Sequence, residues 1–340
     1  MKASHIIIEG KDVAIGYKAS QQHVCIHQHL CIHQHLNFEL HAGELVCLLG
    51  SNGVGKSTLL RTLSGSQPLL HGQLMLHQKA IEKYTEHQLA QTIGVVFTDK
   101  TFAGGLTVSE LVALGRQPHT GFFGKLNNYD KEVIEHAIVA TGLQSKANRY
   151  MAELSDGERQ KAMIAKALVQ ECPLILLDEP TAFLDVVSRI EIMNLLHHLA
   201  VKENKAILMS THDIEQALIL SDRLWLMSPE CGIKSGTTED LVLNDSMQHL
   251  FGTNTSITFN KLSGTYIQSV GGKQEIYVDV GSPTLMYWIR NALNRNGYTI
   301  AAEAKETIPH LSVHSANDIV YRCEHQTYQL SSFAELMRLL

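Results

Sequence analysis

The sequence predicts an α/β fold with a largely parallel sheet, followed by a small α+β domain. Up to about residue 250, short apolar runs alternate with helical patterns, as in strands joined by crossover helices. A glycine-rich loop, Gly50–Ser57, separates an apolar run from a helical one. Beyond about residue 255 the pattern changes to paired strands and short helices, so we expect domains at 1–250 and 255–340.

Four short apolar runs are the candidate strands of the sheet. Runs of this length and composition are typical of strands buried on both faces. They are Leu45–Leu49, Ile93–Phe97, Leu174–Leu177 and Ala206–Met209.

Composition narrows the function. Hydrophobic residues make up 44% of the chain, and the formal net charge is −6 without any Lys/Arg run, which argues against nucleic acid as the main partner. The six cysteines form no CxxC pair, so neither a disulfide framework nor a zinc ribbon is indicated. Because no apolar stretch approaches the ~18–20 residues that span a bilayer, we expect a soluble, cytosolic protein.

The glycine-rich loop carries the clearest motif. It reads GSNGVGKS, which fits GxxxxGK[ST] in the strand–loop–helix context of a P-loop. Backbone N–H groups of such a loop close around phosphates. Lys56 is expected to meet the β- and γ-phosphates and Ser57 to bind Mg²⁺. The candidate nucleotide-binding residues here are Gly50, Ser51, Asn52, Gly53, Gly55, Lys56, Ser57 and Thr58.

Two acidic residues end the apolar run at Leu174–Leu177. Asp178 is a candidate Mg²⁺ ligand, acting through water. Glu179 is placed to polarise the attacking water as a general base. Alone, such a pair could be the polar end of a strand, but beside a P-loop the catalytic interpretation is favoured.

Three further segments complete a family resemblance. Leu154–Glu158 resembles the ABC signature motif, Pro180–Asp185 resembles the stretch that ends in the D-loop, and Ser210–Asp213 resembles the switch-histidine motif. With the P-loop, these motifs stand in the order of the ABC ATPase family. The resemblance implies a P-loop NTPase core of ABC type, with a β subdomain and a helical subdomain at about 99–165.

The resemblance also implies an ATPase that converts ATP and water to ADP and phosphate in a head-to-tail dimer. Ser155 and Gly157 would serve the γ-phosphate of the opposite subunit's ATP, and Asp185 of the D-loop joins the nucleotide-binding set. His212 would contact the γ-phosphate and help to fix the water. The implied catalytic residues are thus Glu179, His212 and Lys56, with ATP and Mg²⁺ as cofactors.

Two positions carry less specific signals. Tyr17 matches the aromatic residue that stacks on adenine in the family, although a tyrosine at a strand edge is common. Thr98 stands where the family has a glutamine that contacts Mg²⁺ and senses the membrane subunit. A threonine hydroxyl can still bind Mg²⁺ but is shorter, so coupling to the membrane subunit is expected to differ from the family's, with Asp99 as a second candidate for the role.

The segment Leu106–His119 resembles importers of iron-siderophores, haem and cobalamin, chiefly through Gly115–His119. The implied partners are separate membrane permease subunits, a second copy of this chain and, indirectly, a solute-binding protein. The implied location is the cytoplasmic face of the inner membrane. Two alternatives remain: a soluble ABC ATPase that remodels a macromolecular complex, and a regulatory binder whose C-terminal domain senses metal.

Two other features invite predictions. The hexapeptide Cys25–Leu30 is repeated at once as Cys31–Leu36, which indicates either a duplication absorbed in a loop or hairpin, or a histidine-based metal site. In the C-terminal part, a hairpin is predicted from the runs Thr265–Val270 and Gln274–Val280 on either side of a Gly271-Gly272 turn. Ser282 and Pro283 start a helix that ends at Gly297, and no catalytic constellation is evident.

Overall fold

The computed structural model describes most of the 340-residue chain. The described residues are 5–17, 30–97, 105–121, 124–182, 184–251, 257–268, 274–324 and 326–340. They form two compact units, the first comprising Met1–Thr253 with Lys261–Thr265 and the second Asn254–Asn260 with Tyr266–Leu340.

The first unit mixes strands and helices as the sequence predicts. Its strands are β1 Ile6–Tyr17, β2 Leu30–His41, β3 Leu45–Leu49, β4 His71–Leu76, β5 Lys79–Ala80, β6 Ile93–Val96, β7 Leu174–Asp178, β8 Ala206–Ser210, β9 Arg223–Ser228 and β10 Gly232–Thr237. Its α-helices are α1 Lys56–Leu63, α2 Glu86–Thr92, α3 Val108–Ala113, α4 Asn128–Ala140, α5 Asp156–Leu168, α6 Val186–Glu203, α7 Ile214–Leu220 and α8 Thr238–Leu243. Short 3₁₀ helices lie at Ile81–Lys83, Leu114–His119, Gln144–Lys146, Met151–Glu153 and Ser246–His249.

A six-stranded sheet in the order β10-β9-β3-β8-β7-β6 forms the centre of this unit. All its pairs are parallel except β10 with β9. Strands β3, β7 and β8 are buried along their whole length, which explains why their sequences are continuous apolar runs. Because the strands are parallel, the segments that follow β3, β7 and β8 meet at one edge, where α/β proteins bind ligands.

A second, antiparallel sheet in the order β2-β1-β4-β5 packs over the same core. Trp225 of β9 is fully buried there, and its ring centroid lies 5.0 Å from that of Phe38 on β2. This contact joins the two sheets into one hydrophobic core.

Helices α3, α4 and α5 surround a core of their own, which includes Val112, Ile138 and Ala165. The segment Gly115–His119 lies against the end of α5. A Cβ on Gly115 would lie 2.2 Å from the Lys166 carbonyl oxygen, so only glycine fits there. Buried Arg116 donates from Nη1 to the Val169 carbonyl (2.6 Å) and pairs through Nε with buried Asp130 of α4 (2.9 Å).

Replacing Arg116 with methionine is expected to destabilise the first unit by about 3–5 kcal/mol, because Asp130 would keep a buried charge without its partner. In calorimetry of the full chain, the transition of this unit should move down by roughly 6 °C or more. The control Lys161→Met breaks the more exposed Lys161–Glu191 pair (2.7 Å) and should change stability by less than about 1 kcal/mol. Equal shifts in the two variants would contradict the interpretation of Arg116–Asp130 as a buried structural pair.

The second unit contains β11 Ile257–Asn260, all but the first residue of β12 Thr265–Gln268, β13 Gln274–Val280, α9 Pro283–Arg295, β14 Tyr298–Ile300, β15 His310–Ser315, β16 Asp318–Cys323, β17 Gln326–Leu330 and α10 Phe333–Leu339. Its main sheet runs in the order β14-β13-β15-β16-β17, with β13 parallel to both neighbours. The predicted helix after Ser282 is confirmed, with Ser282 as its N-cap and Pro283 in its first turn. The predicted hairpin is wrong, because β12 pairs with β11 and β13 lies in the other sheet.

Among the described residues, no helix has both the length and the apolar character needed to cross a membrane.

Candidate functional site

The glycine-rich loop connects the buried end of β3 to the start of α1, as predicted. A Cβ on Gly50 would lie 2.5 Å from the Met227 carbonyl oxygen, so the loop passes close against β9. Gly53 and Gly55 have φ values of 76° and 106°, which side chains rarely adopt. These three glycines therefore have specific backbone reasons to be glycine.

Lys56 is buried beneath this loop, with 6% of its surface exposed. Its Nζ donates to the carbonyl oxygens of Gly50 (2.8 Å) and Ser51 (3.1 Å). Burial lowers the pKa of the Lys56 ammonium, while the carboxylates of Glu179 and Asp178 act to raise it. The positive charge is therefore held inside the loop and faces the two acids at the end of β7.

Ser210 links those two acids, a role that the sequence did not reveal. Its hydroxyl donates to Oδ1 of Asp178 (2.6 Å) and accepts from the backbone N–H of Glu179 (2.9 Å). Asp178 pairs with Ser210 in the register of β7 and β8 and is only 4% exposed. The hydroxyl thus orients both residues. The only feature of the sequence that could have indicated this role is the position of Ser210 as the last residue of β8, the strand next to β7.

Glu179 and His212 lie next to each other at the same edge of the sheet. His212 Nε2 lies 2.6 Å from Glu179 Oε1, and both side chains are partly exposed. Glu179 has a φ of 50°, in the left-handed region that non-glycine residues rarely occupy. Such local strain is characteristic of functional positions. Here the strained residue is the first one after β7, where the chain turns away from the strand.

Tyr17 ends β1 beside the P-loop helix. Its hydroxyl lies 3.3 Å from that of Thr58, a buried residue of α1, and half of the Tyr17 surface is exposed. Asn52 and Ser57 are exposed and Ser51 partly so. An exposed ring anchored at its hydroxyl next to the loop has the features needed to stack on a base.

The signature segment forms the start of α5. Ser155 is its N-cap and forms a capping box with Glu158, whose carboxylate accepts from the Ser155 N–H (3.0 Å). Gly157 lies in the first turn, where a Cβ would meet Leu184 at 3.2 Å. A helix N-terminus presented in this way favours an anion.

Asp185 caps α6 by accepting from the Ser188 N–H (2.9 Å) and hydroxyl (2.9 Å). These hydrogen bonds lower the pKa of Asp185. Thr98 and Asp99, the candidates for the glutamine position, lie outside the described residues, as does most of the first copy of the hexapeptide repeat. The second copy lies on β2, paired with β1.

A P-loop with a buried lysine faces a strand-end Asp-Glu pair and a histidine, and these features define a nucleoside-triphosphate-binding cassette. Residues 33–182 match the ABC transporter family, and residues 273–340 match the iron ABC transporter C-terminal domain. The chain belongs to the ABC transporter family, as its ATP-binding, ATP-hydrolysing subunit.

Relatives agree with this assignment. An uncharacterised ABC transporter ATP-binding protein of Methanocaldococcus jannaschii is 39% identical over 63% of this chain and 74% of its own length. A probable siderophore transport system ATP-binding protein of Bacillus subtilis is 36% identical over 67% and 83%. The ferric enterobactin transport ATP-binding protein of Escherichia coli is 34% identical over 67% and 84%.

Solved structures give the same fold. The cbiO1 protein of Clostridium perfringens, part of the ABC transporter complex cbiONQ, is 26% identical with a TM-score of 0.60, covering 72% of this chain and 93% of its own. The dimeric structure of a bacterial ABC transporter cassette is 25% identical with a TM-score of 0.59, covering 68% and 99%. The predicted ABC cassette is therefore confirmed.

Proposed function

We propose that this chain uses ATP hydrolysis to energise import of an iron-siderophore, haem or a corrinoid. The observation that carries the proposal is the pairing of an ABC cassette with a segment, 273–340, that matches the iron ABC transporter C-terminal domain. The names of the Bacillus subtilis and Escherichia coli relatives, which concern siderophores, support the same class of solute.

On the nucleotide side, the loop Gly50–Ser57 binds the phosphates through its backbone N–H groups and the N-terminus of α1. Lys56 supplies a positive charge that is already fixed before ATP binds, because two loop carbonyls hold its ammonium. A charge held in place beneath the loop needs little reorganisation when the phosphates arrive. Tyr17 stacks on the adenine.

The donor set fits Mg²⁺, which prefers hydroxyl and carboxylate oxygens. Ser57 and Asp178 would hold the ion, together with Thr98. When bound, Mg²⁺ neutralises phosphate charge. Ser210 contributes by fixing Oδ1 of Asp178, so that one carboxylate oxygen is directed before any ion arrives.

Glu179 accepts a proton from the attacking water. His212, in the tautomer with a proton on Nε2, donates to the Glu179 carboxylate and so fixes its direction. The bond from the Glu179 N–H to Ser210 fixes the backbone on the other side. Glu179 is thereby held at two points, its carboxylate by His212 and its backbone by Ser210.

A second copy of the chain completes each site. Ser155 and Gly157 at the N-terminus of α5 meet the γ-phosphate bound to the partner copy, and Asp185 lies at the contact between copies. The dimeric form of a related cassette supports this arrangement. Permease subunits in separate chains would carry the solute at the membrane, with this chain on the cytoplasmic face and a solute-binding protein on the other side.

Uptake measurements test the choice of solute. Uptake of labelled ferric siderophore, haem and cobalamin is measured in cells that depend on this chain. For one of these solutes, Glu179→Gln should reduce uptake to background. The control Glu191→Gln changes an exposed acid of the Lys161–Glu191 pair and should leave uptake unchanged. If uptake of all three solutes is unaffected by Glu179→Gln, the import proposal is wrong.

Co-purification distinguishes an importer subunit from the main alternative, a soluble ABC ATPase that remodels a macromolecular complex. An importer subunit should be recovered with a membrane protein of several spans after gentle detergent extraction. Recovery with a soluble complex instead would favour the remodelling ATPase.

A further inference from the structure

The second copy of the hexapeptide repeat brings a histidine into the core beside the nucleotide loop. On β2, His33 pairs with Ile15 of β1 and is only 7% exposed. The buried side chains that follow it on the same strand, Leu36, Phe38 and Leu40, are all apolar. Burying an imidazole among apolar side chains costs free energy unless its polar atoms are hydrogen-bonded.

The hydrogen bond of His33 goes to the backbone of the P-loop. Nε2 lies 2.7 Å from the carbonyl oxygen of Val54. A carbonyl oxygen only accepts, so Nε2 carries the proton and His33 is the donor. This contact explains why a polar residue occupies a position where the strand otherwise places apolar side chains.

The same peptide unit faces the phosphate site. The carbonyl of Val54 and the N–H of Gly55 belong to one planar trans peptide and point in opposite directions. Fixing the carbonyl toward His33 therefore fixes the Gly55 N–H on the opposite side. Gly55 has a φ of 106°, and a glycine adopts many backbone conformations. The Val54–Gly55 peptide could therefore flip if no contact held its carbonyl.

The repeat also packs directly on Gly55. A Cβ at that position would lie 2.9 Å from Cγ2 of Ile32 and 3.5 Å from Cδ2 of His33. Two adjacent residues of the repeat thus contact the loop, one by van der Waals packing and the other by a directed hydrogen bond.

We propose that His33 is a positioning residue for nucleotide binding: its Nε2–H holds the Val54–Gly55 peptide so that the Gly55 N–H is presented to the phosphates. The inference rests on the nucleotide site described above. It assigns a use to the duplicated segment, whose second copy places a donor against the phosphate-binding loop.

Three variants separate the hydrogen bond from packing. His33→Leu replaces the imidazole with an apolar side chain of similar size and so removes the hydrogen-bond donor. His33→Gln restores it, because the glutamine amide nitrogen reaches about as far from the backbone as Nε2. His33→Asn carries the same amide on a shorter side chain that stops near the position of Nδ1.

The readout is MgADP affinity by isothermal titration, with steady-state MgATP turnover and thermal unfolding of the same full-length proteins. We expect His33→Leu and His33→Asn to weaken MgADP binding and raise KM roughly 3- to 10-fold, the effect of one lost hydrogen bond. At saturating MgATP, kcat should stay within about twofold, because the water-activating residues are untouched. His33→Gln should recover most of the affinity.

The control is His35→Asn, at an exposed repeat position whose φ of 58° asparagine tolerates. It should leave affinity unchanged. Wild-type affinity in His33→Leu, or an equal loss in His33→Gln and His33→Asn, would overturn the inference. If His33→Leu does not fold, the Gln and Asn variants still decide the question. Failure of the wild-type chain to bind MgADP would instead count against the nucleotide site itself.

Discussion

Replacing Glu179 with glutamine is expected to leave MgATP binding intact while lowering turnover by about 10²- to 10⁴-fold, the range of general acid–base catalysis. Glutamine has nearly the same shape, and its amide oxygen still accepts from His212 Nε2, now 2.6 Å from the carboxylate. The amide cannot take a proton from water. With binding retained and the reaction stopped, the variant should accumulate as an ATP-bound dimer in gel filtration.

The matched control is Glu191→Gln, which removes an exposed carboxylate paired with Lys161 and should keep full turnover. Phosphate release and gel filtration with MgATP are measured for all three proteins, in the presence of the permease if the isolated chain is inactive. Turnover of Glu179→Gln within a few-fold of wild type would show that Glu179 is not the base.

Much of this site could be predicted because its residues follow short apolar runs. Predicted strands at Leu45–Leu49, Leu174–Leu177 and Ala206–Met209 are observed as β3, β7 and β8. Once these strands are parallel neighbours, Lys56, Glu179 and the residues after β8 must meet at one edge. The sequence order of the motifs therefore carried spatial information.

Ser210 and His33 could not be found in this way. Ser210 acts through the register of two strands that are distant in sequence, and a hydroxyl at a strand end has no distinctive local pattern. The pairing of β1 with β2 shifts register between Val13 and Ile15, so simple alternation along the repeat does not predict that His33 is buried. Both are tertiary facts that a single sequence does not encode locally.

The misassigned hairpin in the second unit has a similar cause. A Gly-Gly pair between two strand-like runs is a strong local signal for antiparallel pairing. The structure instead pairs β13 in parallel with β14 and β15, and burial of Ile276 and Val278 against α9 and the sheet provides a larger hydrophobic contribution than a turn can. The free energy gained by burying these side chains against residues distant in sequence therefore outweighs the local preference of the Gly-Gly pair for a hairpin turn. The effect of Thr98 on coupling stays a prediction.

Lys56→Ala is expected to weaken MgATP binding by at least about 10-fold and to abolish measurable turnover, since a charge-assisted bond to phosphate contributes roughly 1.5–3 kcal/mol. The change also removes the ammonium that bonds to the carbonyls of Gly50 and Ser51, so the empty loop loses two of its internal contacts. Lys161→Ala, at a partly buried lysine of α5 that pairs with Glu191, is the control for loss of one positive charge.

The comparison with Glu179→Gln makes this result informative. If Lys56 binds phosphate and Glu179 activates water, one variant loses affinity and turnover together, whereas the other loses turnover alone. Equilibrium MgATP binding and single-turnover hydrolysis measured on both variants distinguish these patterns. Normal binding and turnover in Lys56→Ala would remove the phosphate-binding assignment of the loop, and with it the physical basis for a nucleotide at this edge of the sheet.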